Sequence, residues 1–168
     1  MNTDRIEKSI LLRAPRQRVW DAVADARQFG AWFGVEFDGP FVEGQVLTGR
    51  IRPTQVDAEV AKLQQPHSGR PFEWLVERIE PQQRLRFRWH PYAIEPGVDY
   101  AAEPMTEIVF ELREEDGGTR LTITESGFDR IPLARRAKAF AANDGGWAHQ
   151  LRLVEKYLAL HPQGPQHA

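Results

Sequence analysis

Residues 72–90, FEWLVERIEPQQRLRFRWH, alternate apolar and charged side chains on both sides of a short polar turn containing Pro81, and no other feature constrains the fold as tightly. A period of two over two strand-length runs joined this closely specifies an antiparallel hairpin. With the turn at 80–83, Trp74 lies opposite Trp89 and Val76 opposite Phe87, while Glu77 meets Arg86 on the other face. One face is apolar and the other charge-paired. A one-residue slip would place the rings among the arginines, so the register is well specified.

A second hairpin follows in TEIVFELREEDGGTRLTITESGF, turning at Asp116-Gly117-Gly118, residues that tolerate the left-handed backbone of a tight β-turn. This register sets Leu112 against Leu121, Phe110 against Ile123 and Ile108 against Glu125. An acid is thereby carried onto the apolar face. Either it points inward, or it sits solvated at the open end of the sheet, or a bulge turns it outward. Between the hairpins, PYAIEPGVDYAAEPM (residues 91–105) is proline-rich and aperiodic, which suits a lid or a plain connection equally.

The hairpins need a cover for their apolar face. Residues 5–13 read as a first strand stopped at Ala14-Pro15, where a helix carrying Val19, Trp20 and Val23 opens. Phe29, Trp32 and Phe33 continue in a second short helix, with Gly30 and Gly34 as breaks. Three strands are expected at 35–38, 46–52 and 56–63. From Leu133 the pattern turns helical, is interrupted at Asn143-Asp144-Gly145-Gly146, and resumes in GWAHQLRLVEKYLAL with Trp147, Leu151, Val154 and Leu158 on one stripe. No strand and helix alternate as a parallel sheet would require, so the class is α+β: a curved antiparallel sheet wrapped around a long C-terminal helix, with two short helices after the first strand. A single domain over 1–160 is expected, with a disordered tail at 161–168; a chain of 168 residues supports one real core.

Where helix and sheet diverge, an apolar small molecule finds room. The candidate lining is Trp32, Trp74, Phe87, Trp89, Ile108, Phe110, Ile123, Trp147 and Leu151, with Glu125, Asn143 and Gln150 as polar members. The rival reading is that the rings fill the gap as core. Glu125 is the one candidate for catalysis: in an apolar cavity its pKa would rise, and it could pass a proton to or from a substrate whose carbonyl Asn143 and Gln150 orient.

Other chemistries find little support. There is no cysteine, and the histidines at 67, 90, 149, 161 and 167 share no ligand spacing, so neither a metal nor another cofactor is expected. His90 reads as a surface partner of Glu73. Phosphate-binding and nucleophile motifs are absent. The formal net charge is only −2, and Glu73, Glu77 and Glu111 are placed to neutralise Arg84, Arg86 and Arg88, which argues against nucleic acid. Neither a signal peptide nor a run of ~20 apolar residues is evident, so a cytoplasmic location without a membrane span is expected.

Three segments in order, APRQRVWDAVADARQFGAWFG, TRLTITESGFDRIP and NDGGWAHQLRLVEKYL, resemble the START-like helix-grip superfamily, also called SRPBCC. Within it they are most similar to the branch named for the activator of the heat-shock-protein ATPase (AHSA-like). The resemblance spans about residues 5–160. It implies an apolar tunnel between sheet and long helix, and hence a carrier or sensor of a hydrophobic ligand. A cyclase or dehydratase using Glu125 is the enzymatic alternative. The family name alone suggests a co-chaperone with a heat-shock ATPase as protein partner, and a homodimer is left open.

Overall fold

The computed structural model describes residues 5–91 and 102–162. The central part of the expected lid and most of the expected tail lie outside these residues. Seven strands form one antiparallel sheet in the order β1-β7-β6-β5-β4-β3-β2. They are β1 (Arg5–Leu12), β2 (Val35–Phe37), β3 (Val46–Ile51), β4 (Pro71–Glu80), β5 (Arg84–Trp89), β6 (Thr106–Glu115) and β7 (Gly118–Ser126). The helices are α1 (Arg16–Ala24), α2 (Ala26–Phe33), α3 (Ala58–Gln64) and α4 (Leu133–Leu160). The curved sheet and the long α4 make the α+β helix-grip arrangement expected from the hydrophobic pattern.

The short helices carry their own boundaries. Asp25 opens α2 by accepting the Arg27 N–H at 3.0 Å. Gly34 closes it in a left-handed conformation with φ of 95°. Gly30 does not break the helix as expected: a Cβ there would lie 2.1 Å from the Val35 carbonyl oxygen, so glycine instead lets β2 fold back against α2.

The β6–β7 register is the one read from the Asp-Gly turn, with Phe110 opposite Ile123 and Ile108 opposite Glu125. Asp116 and Gly117 take φ of 48° and 77°, the left-handed pair that a two-residue hairpin turn uses. In β4–β5, Val76 pairs with Phe87 as expected, but a bulge between Val76 and Arg78 leaves Glu77 without a strand partner. Its carboxylate still reaches two arginines on the outer face, Arg86 at 3.5 Å and Arg88. Glu107 of β6 bridges the same two, at 3.4 and 3.0 Å, on the other side of β5 from the β4 position of Glu73.

Two expectations about whole elements also fail. Residues 56–63 contribute α3 and not a strand, because Asp57 caps the Val60 N–H at 3.0 Å and the residues that follow are good helix formers. The second failure is the break at Asn143–Gly146, since α4 runs through it unbroken. Two internal glycines cost about 1 kcal/mol each. Side-chain contacts on either side outweigh that: Asn143 and Trp147 both bind Glu125, and Asp144 pairs with Lys8 of β1 at 3.1 Å.

The core lies between α4, the α1–α2 pair and the inner face of the sheet. Trp147, Leu151, Val154 and Leu158 are all buried, as the stripe requires, with Leu153 and Tyr157 beside them. Arg135, near the start of α4, holds Glu103 at 2.8 Å and the Pro91 carbonyl at 3.0 Å, tying both ends of the β5–β6 connection to the helix. None of the described helices is long and apolar enough to cross a membrane.

Candidate functional site

The centre of the helix-sheet gap is filled by protein. Phe29 of α2 packs its ring 4.7 to 6.1 Å from those of Trp32, Trp74, Phe87 and Phe110, and Trp74 lies 4.6 Å from Phe87. Trp32, Trp74, Phe87, Ile108, Phe110 and Ile123 are completely buried. None of these six borders either of the two spaces described next, and they pack in the core, as does Leu151. Trp32 donates its Nε1–H to the Ala22 carbonyl at 2.9 Å, which joins α2 to α1.

Space survives at one end, where β4 and β5 run out beyond α3 and the middle of α4. A cavity of about 330 Å³ opens there between Phe33, Phe72, Trp89, Leu63, Asn143 and Gln150, with His67, Arg70 and His90 also on its wall. A pocket of about 60 Å³ bounded by Phe33, Trp89, Asn143, Trp147 and Gln150 lies beside it. Of the residues singled out from sequence, Trp89, Asn143 and Gln150 line the larger space, and Trp147 lines the smaller. Phe33, Leu63, His67, Phe72 and His90 were missed as lining. Phe33 was visible as a helix-face aromatic. His90 was misplaced: its Nε2 lies 3.1 Å from the Glu103 carbonyl oxygen, and its side chain borders the cavity instead of pairing with Glu73. Leu63 and His67 could not be placed without knowing that residues 58–64 are helical.

Glu125 sits behind this wall, with 0 % of its surface exposed. Trp89 Nε1–H and the Thr106 hydroxyl donate to Oε2 at 2.7 and 2.6 Å; Trp147 Nε1–H and Asn143 Nδ2–H donate to Oε1 at 2.7 and 2.9 Å. Two donors come from the sheet side and two from α4, so one carboxylate clamps the layers together and orients both indoles. Burial pushes its carboxyl above the ordinary glutamate range, while the four hydrogen bonds pull the other way. Trp89, Asn143 and Trp147 stand between Glu125 and the two spaces, so a molecule in either would meet those side chains and not the carboxylate.

Two polar atoms on the cavity residues have no partner. Gln150 Oε1 and His67 Nδ1 are both buried and unbonded. A larger depression of about 960 Å³ lies on the far side of α2, between the α1–α2 turn and the β2 edge. Its rim is mixed in charge, with Asp25, Arg27, Glu36, Asp38 and Arg52, and none of its side chains carries a buried unpaired polar atom. Among the described residues no three histidine or acidic side chains converge as metal ligands.

No curated protein matches the chain. Solved structures do. DynU16, a protein of the dynemicin biosynthetic locus, is 25% identical with a TM-score of 0.64; the match covers 93% of this chain and 47% of that one, so this chain spans about half its length. The protein encoded by gene BPP1335 of Bordetella parapertussis is 25% identical over 99% of this chain and 80% of its own, with a TM-score of 0.65. A protein from Arthrobacter aurescens shares the fold at 17% identity and a TM-score of 0.71, over 100% and 96% of the two chains. A family model matches residues 13–159, nearly all of the folded chain, and with the helix-grip architecture this establishes that the protein belongs to the family described as Activator of Hsp90 ATPase homolog 1-like protein.

Proposed function

We propose that the protein binds a small, largely apolar molecule in the cavity of about 330 Å³ beside Trp89, acting as a carrier or sensor. The observation that carries this reading is the composition of the wall. Aromatic and aliphatic side chains supply most of the apolar contact, and a few polar atoms converge on the same space, as small-molecule sites of roughly 300 to 1,000 Å³ do. The likeness to a protein of an antibiotic-biosynthetic locus favours a small molecule over a macromolecule as the occupant.

The surroundings of Glu125 support binding over proton transfer. A general acid or base needs a lone pair or a proton within reach of substrate, and here both oxygens are occupied by donors, three of which, Trp89, Asn143 and Trp147, border the two spaces. The family description refers to an ATPase activator; the cavity beside Trp89 supports the small-molecule reading.

Titration with the neutral fluorescent dye N-phenyl-1-naphthylamine tests the proposal. Saturable one-to-one binding is expected, and Ala142→Trp, which grows a ring from a half-buried position on the cavity wall, should abolish it while leaving the circular dichroism spectrum unchanged. Absence of saturable binding, or binding undiminished in the filled variant, would sink it.

A further inference from the structure

The two spaces beside Trp89 share a wall. Phe33, Trp89, Asn143 and Gln150 border both the cavity of about 330 Å³ and the pocket of about 60 Å³, so these four side chains stand between them. Trp147 borders the pocket and not the cavity. Around the pocket the rings of Phe33, Trp89 and Trp147 lie 5.8 to 6.2 Å from one another. Were the shared wall to shift, the pocket would extend the cavity towards Trp147.

Two members of the wall are joined to each other, since Gln150 donates its Nε2–H to the Phe33 carbonyl at 3.3 Å. The other two are tied to one carboxylate: Glu125 Oε2 accepts the Trp89 Nε1–H at 2.7 Å, and Oε1 accepts the Asn143 Nδ2–H at 2.9 Å. Trp89 and Asn143 are only half-buried, so close packing does not fix them from every side as it fixes Trp74 and Phe87. Their orientation depends on the bonds to Glu125.

An indole nitrogen can only donate, and so can the amide nitrogen of Asn143. In either protonation state each oxygen of the acid keeps a lone pair for them, whereas an amide of the same shape offers a single accepting oxygen. Whichever way such an amide turned, its nitrogen would face Trp89 or Asn143, and one side chain of the shared wall would lose its acceptor.

Resting on the cavity reading proposed above, we infer that Glu125 is a positioning residue that sets the size of the guest. It does so without touching the ligand. By holding Trp89 and Asn143 as a stop at the end of the cavity, it keeps the pocket beyond them out of reach.

Straight-chain primary alcohols from butanol to dodecanol, displacing the naphthylamine dye, test this role. In the wild type each added methylene should tighten binding by about fourfold until the chain meets the stop, after which further length brings no gain. Glu125→Gln and Asn143→Leu should both move that break to a longer alcohol; the leucine keeps the bulk of the asparagine but has no N–H for Glu125. The first alcohol past the wild-type break should then bind either variant about fourfold more tightly than the alcohol before it. A purely structural role would weaken every alcohol alike and leave the break where it was, and that result overturns the inference. If Glu125→Gln does not fold, Asn143→Leu decides alone. Affinity that climbs without a break in the wild type also overturns it and leaves the cavity reading intact. Failure of dye binding itself removes the cavity reading underneath.

Discussion

Glu125 shows how a single buried acid can serve structure. Three of its four partners, the two indole N–H groups and the Asn143 amide N–H, can only donate, and only the Thr106 hydroxyl could turn to accept. The ionised form satisfies all four, but it bears the cost of burial, which dominates and raises the pKa. The sign of the pH dependence follows. An acid whose folded value lies above its ordinary 4.5 holds its proton longer in the folded chain than in the unfolded one, so its contribution to stability is complete below 4.5 and is lost as pH rises through the folded value. Glu125→Gln cannot ionise. Its stability relative to wild type should therefore climb as pH rises above the ordinary glutamate value of 4.5, as measured by urea unfolding at a series of pH values. A difference that stays flat as pH rises would mean that Glu125 has no raised value.

At the scale of elements, α4 is continuous because of what it touches and not because of what it is made of. Gly145 sits at an exposed position with nothing within 4 Å of where a Cβ would lie, and its backbone is helical. Gly145→Ala should stabilise the protein by about 0.4 to 1 kcal/mol through the reduced entropy of the unfolded chain, visible as a shift in denaturation midpoint at constant m-value. A destabilised variant would show that the helix needs freedom at that point. Gly146 differs, since it borders the small pocket. The charge ladder on the outer sheet face adjusts similarly: the bulge at Glu77 displaces it from its strand partner, yet its long side chain still reaches Arg86 and Arg88. The carboxyl of Glu77 is held below its usual range chiefly by its hydrogen bond to Arg88.

For the whole molecule, a ligand held between α4, α2, α3 and the β4–β5 end of the sheet should bind only the assembled fold. A compound present at about 100 times its Kd would then add about 2.7 kcal/mol to the unfolding free energy, and Tm should rise with ligand concentration. A Tm that does not respond to a saturating cavity ligand would show that binding occurs elsewhere or to unfolded chain. Much of the fold was legible beforehand for local reasons. The Asp116-Gly117 turn fixes one hairpin register, the Trp147-Leu151-Val154-Leu158 stripe fixes which side of α4 faces the sheet, and period-two runs fix which side chains share a face. These are statements about neighbours within a few residues or across one turn, and the chain determines them by itself.

What the sequence could not decide is which members of the apolar face are core and which border empty space. Trp74, Phe87 and Trp89 follow one another on the same inner face, yet the first two are completely buried and the third lines the cavity. The difference arises from elements far away in the chain: Phe29 fills the middle of the gap, while α3 and the β3–β4 end leave room beside Trp89. Periodicity assigns a side chain to a face. Only the tertiary packing of distant segments sets the volume in front of it, because whether a gap is filled depends on the shapes of every element that borders it at once.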